Sequence, residues 1–341
     1  MFPLLFMSCG IQNKKVTDKV TATKNEPSHS KVLIAFGSCN KLDMENVYWD
    51  DILHTKPDIF IWGGDNIYAD TEDMVKMKAM YEAQMAVKEY ATLAENIMIT
   101  GTWDDHDYGM NDGGEEFPKK RESQNLFLDF MGVEQGDQRR DQEGVYSAQL
   151  ISKPEGQVKI INLDTRYFRT PLTDGRNKGK RYIPNAYGEG TILGIEQWTW
   201  LENELSNSKA EFNFIVSSIQ FLSNEHGFEK WGNHPHEVDK MLDIIKNSKA
   251  KRVVFLSGDR HISEFSKMET DQLLFPLVDF TSSGLTHAYT SFKGEPNPFR
   301  VGEVVSTTSF GLVEIDLRKM EVHFKIMGEN GQIYQELKQA Y

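Results

Sequence analysis

The sequence predicts a mixed-sheet α/β domain with helices on the outside for residues 31–341, on three observations. Short apolar runs recur, each stopped by glycine and a polar tip, as buried strands are. Segments of helical character separate most of these runs, the alternation that builds parallel or mixed sheets. Toward the C-terminus the helices give way to consecutive strands joined by tight turns, which adds an antiparallel portion.

The elements follow in order. In KVLIAFGSCN, residues 32–36 are an apolar run stopped by Gly37, and PDIFIWGGDNIY repeats the design after Pro57. Residues 74–95 read as one helix, and NIMITGTWDDHDYG as a third strand ending in a polar loop. QVKIINLDTRYFR is a fourth strand and EFNFIVSSIQF a fifth; helix-like EVDKMLDIIKNSKA leads into a sixth, KRVVFLSGDRHISEF. LLFPLVDFTSSG and the stretch SFGLVEIDLRKMEVHFKIMGENGQIYQELK supply further strands, the last ones as a meander. Residues 112–145 and 173–190 read as long turn-rich loops that wall or cover a site, a common use of long loops in compact domains. There is no internal repeat.

Composition narrows the function classes. The chain has 341 residues, 39% of them hydrophobic and 11% aromatic, so a substantial core is available and global disorder is excluded. A net charge of -13 argues against a partner bound by counterion release from a nucleic-acid backbone. It leaves open an enzyme that meets phosphate through a bound cation, because the cation reverses the local sign. The two cysteines, Cys9 and Cys39, differ in setting. Cys9 closes the apolar run MFPLLFMSCG, too short to span a bilayer as a helix. The run resembles the end of a bacterial lipoprotein signal without its basic leader, whose Cys carries the lipid. Residues 1–9 are therefore expected to be a signal remnant and 10–30, polar and aperiodic, a flexible tether. On that reading Cys39 is unpaired in an exported protein, so it is either buried and inert or a ligand.

The chemistry lies in the repetition of strand tips. Four strands end in groups with donor chemistry: Ser38-Cys39-Asn40, Asp65-Asn66-x-Tyr68, Asp104-Asp105-His106 and Asp259-Arg260-His261. In α/β sheets ligands collect at the carboxyl ends of strands, so tips remote in sequence meet there. One Gly-Asp tip is a common turn, whereas four in one chain point to a metal site. The donors outnumber the needs of one ion, which allows two metals sharing a bridging carboxylate. Two metals about 3.5–4 Å apart bind phosphate, generate hydroxide and stabilise a departing oxygen.

FGSCN, GGDNIYAD, TWDDHDYG, LDTRYFR and LSGDRH, in this order, resemble the alkaline phosphatase D (PhoD-like) branch of the calcineurin-like metallophosphoesterases. The resemblance runs from about residue 31 to about 330. It implies a four-layer αββα sandwich of two mixed sheets, with residues 31–341 as a single catalytic domain. Larger members carry an extra N-terminal β-sandwich, for which this sequence has no room, so a compact version is expected. The resemblance also assigns roles. Asp65 matches the bridging carboxylate, and Cys39, Tyr68 and His261 match ligands of a ferric ion. Asp259 and Asp105 match ligands of a second metal, with Asn111 as an extra oxygen. His106 matches the residue that contacts phosphate and protonates the leaving oxygen. Thiolate and phenolate suit a trivalent or soft-tolerant metal and the Asp/Asn oxygens suit Ca²⁺. Fe³⁺ with Ca²⁺ is therefore expected, with Mn²⁺, Mg²⁺ or Zn²⁺ as substitutes.

Plainer readings stand beside these. Cys39 and Tyr68 also suit core positions, and Asp104 and Asp107 suit supporting or turn roles. Arg166 and Arg260 are expected at the substrate phosphate, with Arg166 also counted among the catalytic residues; bracing a carboxylate is the alternative for both, as for Arg169. His226, His234 and His236 read as loop residues at the cleft rim. The expected activity is metal-dependent hydrolysis of phosphomonoesters or diesters on a small-molecule, lipid or envelope substrate. The alternatives are a phospholipase-type phosphodiesterase and an inactive surface-binding lipoprotein. The expected location is the bacterial cell envelope, periplasmic or outer-membrane anchored, with membrane attachment only through the N-terminal lipid.

Overall fold

The computed structural model describes residues 30–341; the signal-like run at 1–9 and all but the last residue of the tether at 10–30 lie outside the described residues. The first half runs β1 (Lys31–Gly37), α1 (Trp49–Thr55), β2 (Ile59–Gly63), α2 (Met74–Met85), α3 (Lys88–Asn96), β3 (Met98–Thr102), α4 (Asp105–Tyr108), α5 (Lys120–Phe130), β4 (Ser147–Lys153) and β5 (Gly156–Asn162). The second half runs β6 (Thr173–Asp174), β7 (Tyr182–Ile183), α6 (Gly194–Ser206), β8 (Phe212–Ser217), α7 (Pro235–Asn247), β9 (Val253–Ser257), β10 (Ser263–Met268) and β11 (Leu277–Ser282). Four strands close the chain: β12 (Arg300–Val305), β13 (Phe310–Asp316), β14 (Glu321–Met327) and β15 (Ile333–Ala340).

Two mixed sheets result, ordered β15-β14-β13-β1-β2-β3 and β12-β10-β11-β9-β8-β5-β4. In the first, β1, β2 and β3 are parallel, and the expected C-terminal meander joins antiparallel to β1 through β13. In the second, β5, β8, β9 and β11 are parallel and the remaining strands antiparallel. Side-chain alternation sorts three cores. Ile34, Phe36, Ile59 and Ile61 meet Phe212, Phe214, Val254 and Leu256 between the sheets. Phe60 and Trp62, one residue out of phase, face the opposite way into a second core with α1 to α3 and α5. Ile215, Val253 and Phe255 do the same on the other sheet under α6 and α7. The four layers are thus helices, sheet, sheet, helices, as the motif resemblance implied.

Three local expectations are corrected. Residues 74–95 form two helices, because Val87 takes an extended conformation (φ -63°, ψ 117°) while packing on the helix-side core. No glycine or proline marks that break. The stretch 112–145 contains α5, whose Phe127, Leu128 and Phe130 enter the same core. The sixth strand is two, β9 and β10, separated by the Gly258–Ile262 tip, and β4 pairs with β5 although its half-exposed residues carry little strand signal.

The topology brings the tips together. Cys39 N–H donates to Gly64 O (3.3 Å) and Asn40 N–H to Asp65 O (2.9 Å), joining the β1 and β2 tips. Gly258, after β9, lies so close to the first sheet that a Cβ there would sit 2.6 Å from Ser38 Oγ and 2.7 Å from Gly63 O. Only glycine lets the carboxyl ends of the two sheets approach this closely.

Candidate metal centre

Three of the expected tips meet through one carboxylate. Asp65 Oδ2 accepts from Cys39 Sγ (3.4 Å) and Tyr68 OH (3.1 Å), while Asp65 Oδ1 accepts the His106 N–H (3.3 Å). Tyr68 OH also lies 3.2 Å from His261 Nε2. Ligand atoms of Cys39, Asp65 and His261 fall within 4.8 Å of one another, as do those of Asp65, Asp105 and His106, and those of Asp104, Asp105 and Asp259. Asp65 thus stands between a thiol, phenol and imidazole group on one side and a carboxylate group on the other. That is the placement expected of a bridging ligand.

The donor set fits cations. Cys39, Asp65, Asp104 and Asp105 are buried, where unpaired anions are strongly disfavoured. Burial, reinforced by the neighbouring Cys39 and aspartates, pushes the Asp65 carboxyl well above its usual range. Burial likewise lifts the Cys39 thiol to about 11 and Asp259 to about 7. Asp104 Oδ2 is buried and has no hydrogen-bond partner among the described residues. Bound cations supply the charge this cluster lacks and deprotonate a coordinating thiol.

Asp104 suits a supporting role by its sequence, yet the fold places it in the carboxylate group, its Oδ1 held by Arg166 Nε (2.6 Å) and Ser218 Oγ (2.7 Å). Asn111, expected as an oxygen ligand, lies beside this group with its Nδ2 donating to Asp105 Oδ2 at 3.2 Å. Asp107 ties two tips together: it accepts the backbone N–H groups of Asp65 (3.2 Å), Asn66 (3.3 Å) and Asp104 (2.7 Å), and the Asn66 side-chain amide (2.6 Å). Six of the ten non-glycine residues with positive φ among the described residues are Cys39, Asp65, Asp70, Asp112, Asp259 and His261. Such strained backbone concentrates at functional sites.

His106 lines the centre with its Nδ1 2.7 Å from Asp70 Oδ2, leaving Nε2 without a hydrogen bond among the described residues. Burial opposes a charge on His106, but the Asp70 bond and the charges of Asp105, Asp70 and Asp104 outweigh it and raise the pKa to about 9. Asp70 lies five residues after Asp65 in the same motif, and its spacing from His106 gives no sequence signal.

The arginines divide. Arg166 does not meet the expectation of a substrate contact, because its side chain is 0% exposed. It is paired to Asp104 and to Glu229 (2.6 Å), so it braces the carboxylates from behind. Arg169 forms an ion pair with Glu229 (3.1 Å) in the same buried network. Arg260, by contrast, lines the cavity over the metal groups, its guanidinium held by Glu295 (2.8 Å) and stacked 4.1 Å from the Phe228 ring. Arg181, from the expected wall at 173–190, lines that cavity too, anchored by Asp112 and preceding Tyr182, whose OH donates to Asp112 (2.7 Å). Of the three histidines, His234 contacts Thr170 (3.2 Å), His236 contacts Gly190 O (3.2 Å), and His226 accepts the Phe228 N–H (3.2 Å). They brace the rim loops, and none belongs to the metal-ligand groups.

A cavity of about 510 Å³ opens over Asp105, Asp259, Arg181, Arg260, Phe228 and Tyr289. A second, of about 690 Å³, is lined by Leu42, Ala79, Met80 and Ala83 with Lys41 and Lys76. Both share His106 and His261.

The family model described as PhoD-like phosphatase matches residues 34–324. The chain belongs to the PhoD-like phosphatase family. Over 188 residues it is 25% identical to alkaline phosphatase D of Bacillus subtilis (strain 168), an alignment covering 50% of this chain and 32% of that protein. The chain therefore matches about a third of the length of this curated relative. It resembles the solved structure of PhoD with a TM-score of 0.69 and 16% identity, over 91% of this chain and 68% of that one. A dimetal phosphatase from Danio rerio matches with a TM-score of 0.55 and 13% identity, over 91% and 99% of the two chains. At these identities the structural likeness establishes the fold, and its four layers are those described above.

Proposed function

We propose that the chain hydrolyses phosphate esters, and that phosphodiesters with two unlike arms are its preferred substrates. The observation that carries this reading is Asp65 between two metal-ligand groups, at the point where two cavities share His106 and His261. A bound metal pair supplies Lewis-acid neutralisation of the phosphate charge and lowers the pKa of an attacking water. The chain's own residues do the rest. Asp70 fixes His106 through Nδ1 and leaves Nε2 to contact phosphate and give a proton to the departing oxygen. Arg260 and Arg181 offer guanidinium groups in the first cavity, with Phe228 and Tyr289 as flat surfaces. Arg166 holds Asp104 in place and touches no substrate.

In the second cavity Leu42, Ala79, Met80 and Ala83 form an apolar strip beside Lys41, Asp43, Asp70 and Lys76, which supports a diester with a lipid or other apolar arm. Fe³⁺ at Cys39, Tyr68, His261 and Asp65 with Ca²⁺ at Asp104, Asp105 and Asp259 is the pair that best suits the donors. We further propose anchorage to a bacterial cell envelope through Cys9. The test is hydrolysis of p-nitrophenyl phosphate and its bis ester with and without chelator, beside elemental analysis of protein purified without added metal. Chelator-reversible turnover with a faster bis ester is expected. No turnover of either ester by metal-replete protein overturns the reading and favours a binding protein that has kept the fold.

A further inference from the structure

We propose that Ser283, the first residue after β11, is a positioning residue of the thiolate-containing site, donating its hydroxyl hydrogen to the Cys39 sulfur. The inference rests on the reading of Cys39 as a metal ligand. Ser283 is buried, and its Oγ lies 3.1 Å from Cys39 Sγ. The direction of that bond follows from what else the hydroxyl does. Ser283 Oγ accepts the backbone N–H of His261 at 2.7 Å, so a lone pair is committed there and its single hydrogen is free to turn toward sulfur. The neighbouring hydroxyl cannot take this role. Ser38 Oγ is 3.6 Å from the same sulfur, and its one hydrogen goes to Ser282 O at 3.2 Å.

The segment after Ser283 holds it rigidly to the sulfur-bearing loop. Gly284 N–H (3.2 Å) and Leu285 N–H (3.1 Å) both donate to Ser38 O, and Thr286 N–H donates to Cys39 O (3.3 Å). Thr286 Oγ1 donates to Cys39 O as well (3.2 Å) and accepts the Lys41 N–H (2.8 Å). One hydroxyl therefore links two expected ligands of one metal, Cys39 through sulfur and His261 through its backbone. A hydrogen bond to a metal thiolate withdraws electron density from sulfur and fixes its direction, and such supporting bonds set both affinity and electronic structure.

The experiment measures Co²⁺ binding and the near-ultraviolet sulfur-to-cobalt charge-transfer absorption in the full chain and in Ser283→Ala, Cys39→Ser and the double variant. Loss of the donor makes the thiolate easier to oxidise, so Ser283→Ala is expected to move the band to lower energy. It is also expected to weaken Co²⁺ binding by about 10- to 100-fold. In the Cys39→Ser background the same change is expected to cost much less, because its sulfur partner is gone. An unshifted band, or an equal cost in both backgrounds, overturns the inference and assigns Ser283 to the His261 backbone alone. A wild-type protein that takes up Co²⁺ without any sulfur-to-cobalt band overturns the metal reading of Cys39 itself, and this inference with it. Circular dichroism of each variant separates these outcomes from misfolding, and Ser283→Thr, which keeps the hydroxyl, restores the wild-type band position if it folds.

Discussion

At the scale of single residues, the centre depends on charges that neighbours hold in place. Asp65 is the one carboxylate in both the sulfur-containing and the His106-containing groups. Asp65→Asn is therefore expected to lose metal content and ester hydrolysis together, and retention of either, by elemental analysis or assay, refutes the bridging role. Arg166 works from behind. Its guanidinium, with no exposure, neutralises Asp104 and Glu229, and removing one partner of a buried ion pair leaves the other charge uncompensated. Arg166→Ala is expected to lower unfolding stability by about 3–5 kcal/mol, read from urea denaturation at pH 7.5. A loss below about 1 kcal/mol would mean the buried carboxylates are protonated or otherwise satisfied. That Arg166 would be buried was not legible in LDTRYFR, where Arg166 and Arg169 look alike. Burial depends on where Glu229, 63 residues on, returns to the sheet edge.

At the scale of elements, the strand tips impose close approach. Gly64 has φ +98°, and a Cβ there would lie 2.6 Å from the Asp104 Cβ and 3.0 Å from the Ser218 Cβ. Gly64→Ala is expected to cost about 1–3 kcal/mol in strain and to reduce metal content by pushing the Asp65 and Asp104 tips apart. A variant with native stability and full metal content would show that the tips yield. Helix α2, which supplies Ala79, Met80 and Ala83 to the second cavity, is capped by Asp73, whose side chain accepts from Val75 N and Lys76 N. Asp73→Ala is expected to cost about 1 kcal/mol of stability and to leave metal content unchanged, separating helix stability from the centre. The strands with alternating or continuous apolar runs were legible because their burial is written in local period. The α2–α3 break and β4 were not, because Val87 and the half-exposed β4 residues are held by tertiary packing rather than by turn chemistry.

For the whole molecule, stability is linked to cations and to pH. Ions that bind the folded carboxylate cluster and not the unfolded chain stabilise by mass action, about 2.7 kcal/mol at 100 times Kd. Chelation is expected to lower the melting temperature, and re-addition of metal to restore it. Acid acts separately, through the rim histidines. Burial, reinforced by Arg260 and Lys230, lowers His226 to about 2, and burial with Arg169 lowers His234 to about 4. Below the unfolded value near 6.5 the unfolded chain takes up protons that the folded chain refuses. The histidine contribution to stability therefore falls as pH drops from about 6.5 toward 4, by up to about 1.4 kcal/mol per pH unit for each histidine, while the raised carboxyls of Asp107 and Asp259 contribute with the opposite sign. His226→Gln is expected to reduce that slope by one proton in urea melts at stepped pH; an unchanged slope shows that His226 is protonated in the fold.

The sequence alone determined most of the buried strands, the four tips and the chemical character of their donors, because burial and metal-ligand types are local properties of short segments. It also determined the family, through five motifs in order. The tertiary structure alone decided which donors converge. Asp104 joined the carboxylate group and Arg166 left the substrate surface because each depends on partners more than sixty residues away. It also placed His106 and His261 between two cavities, one holding Arg181 and the other an apolar strip from α2, since those walls come from the 173–190 loop and from α2. No local pattern sets the distance between those segments; packing of the two sheets against each other does.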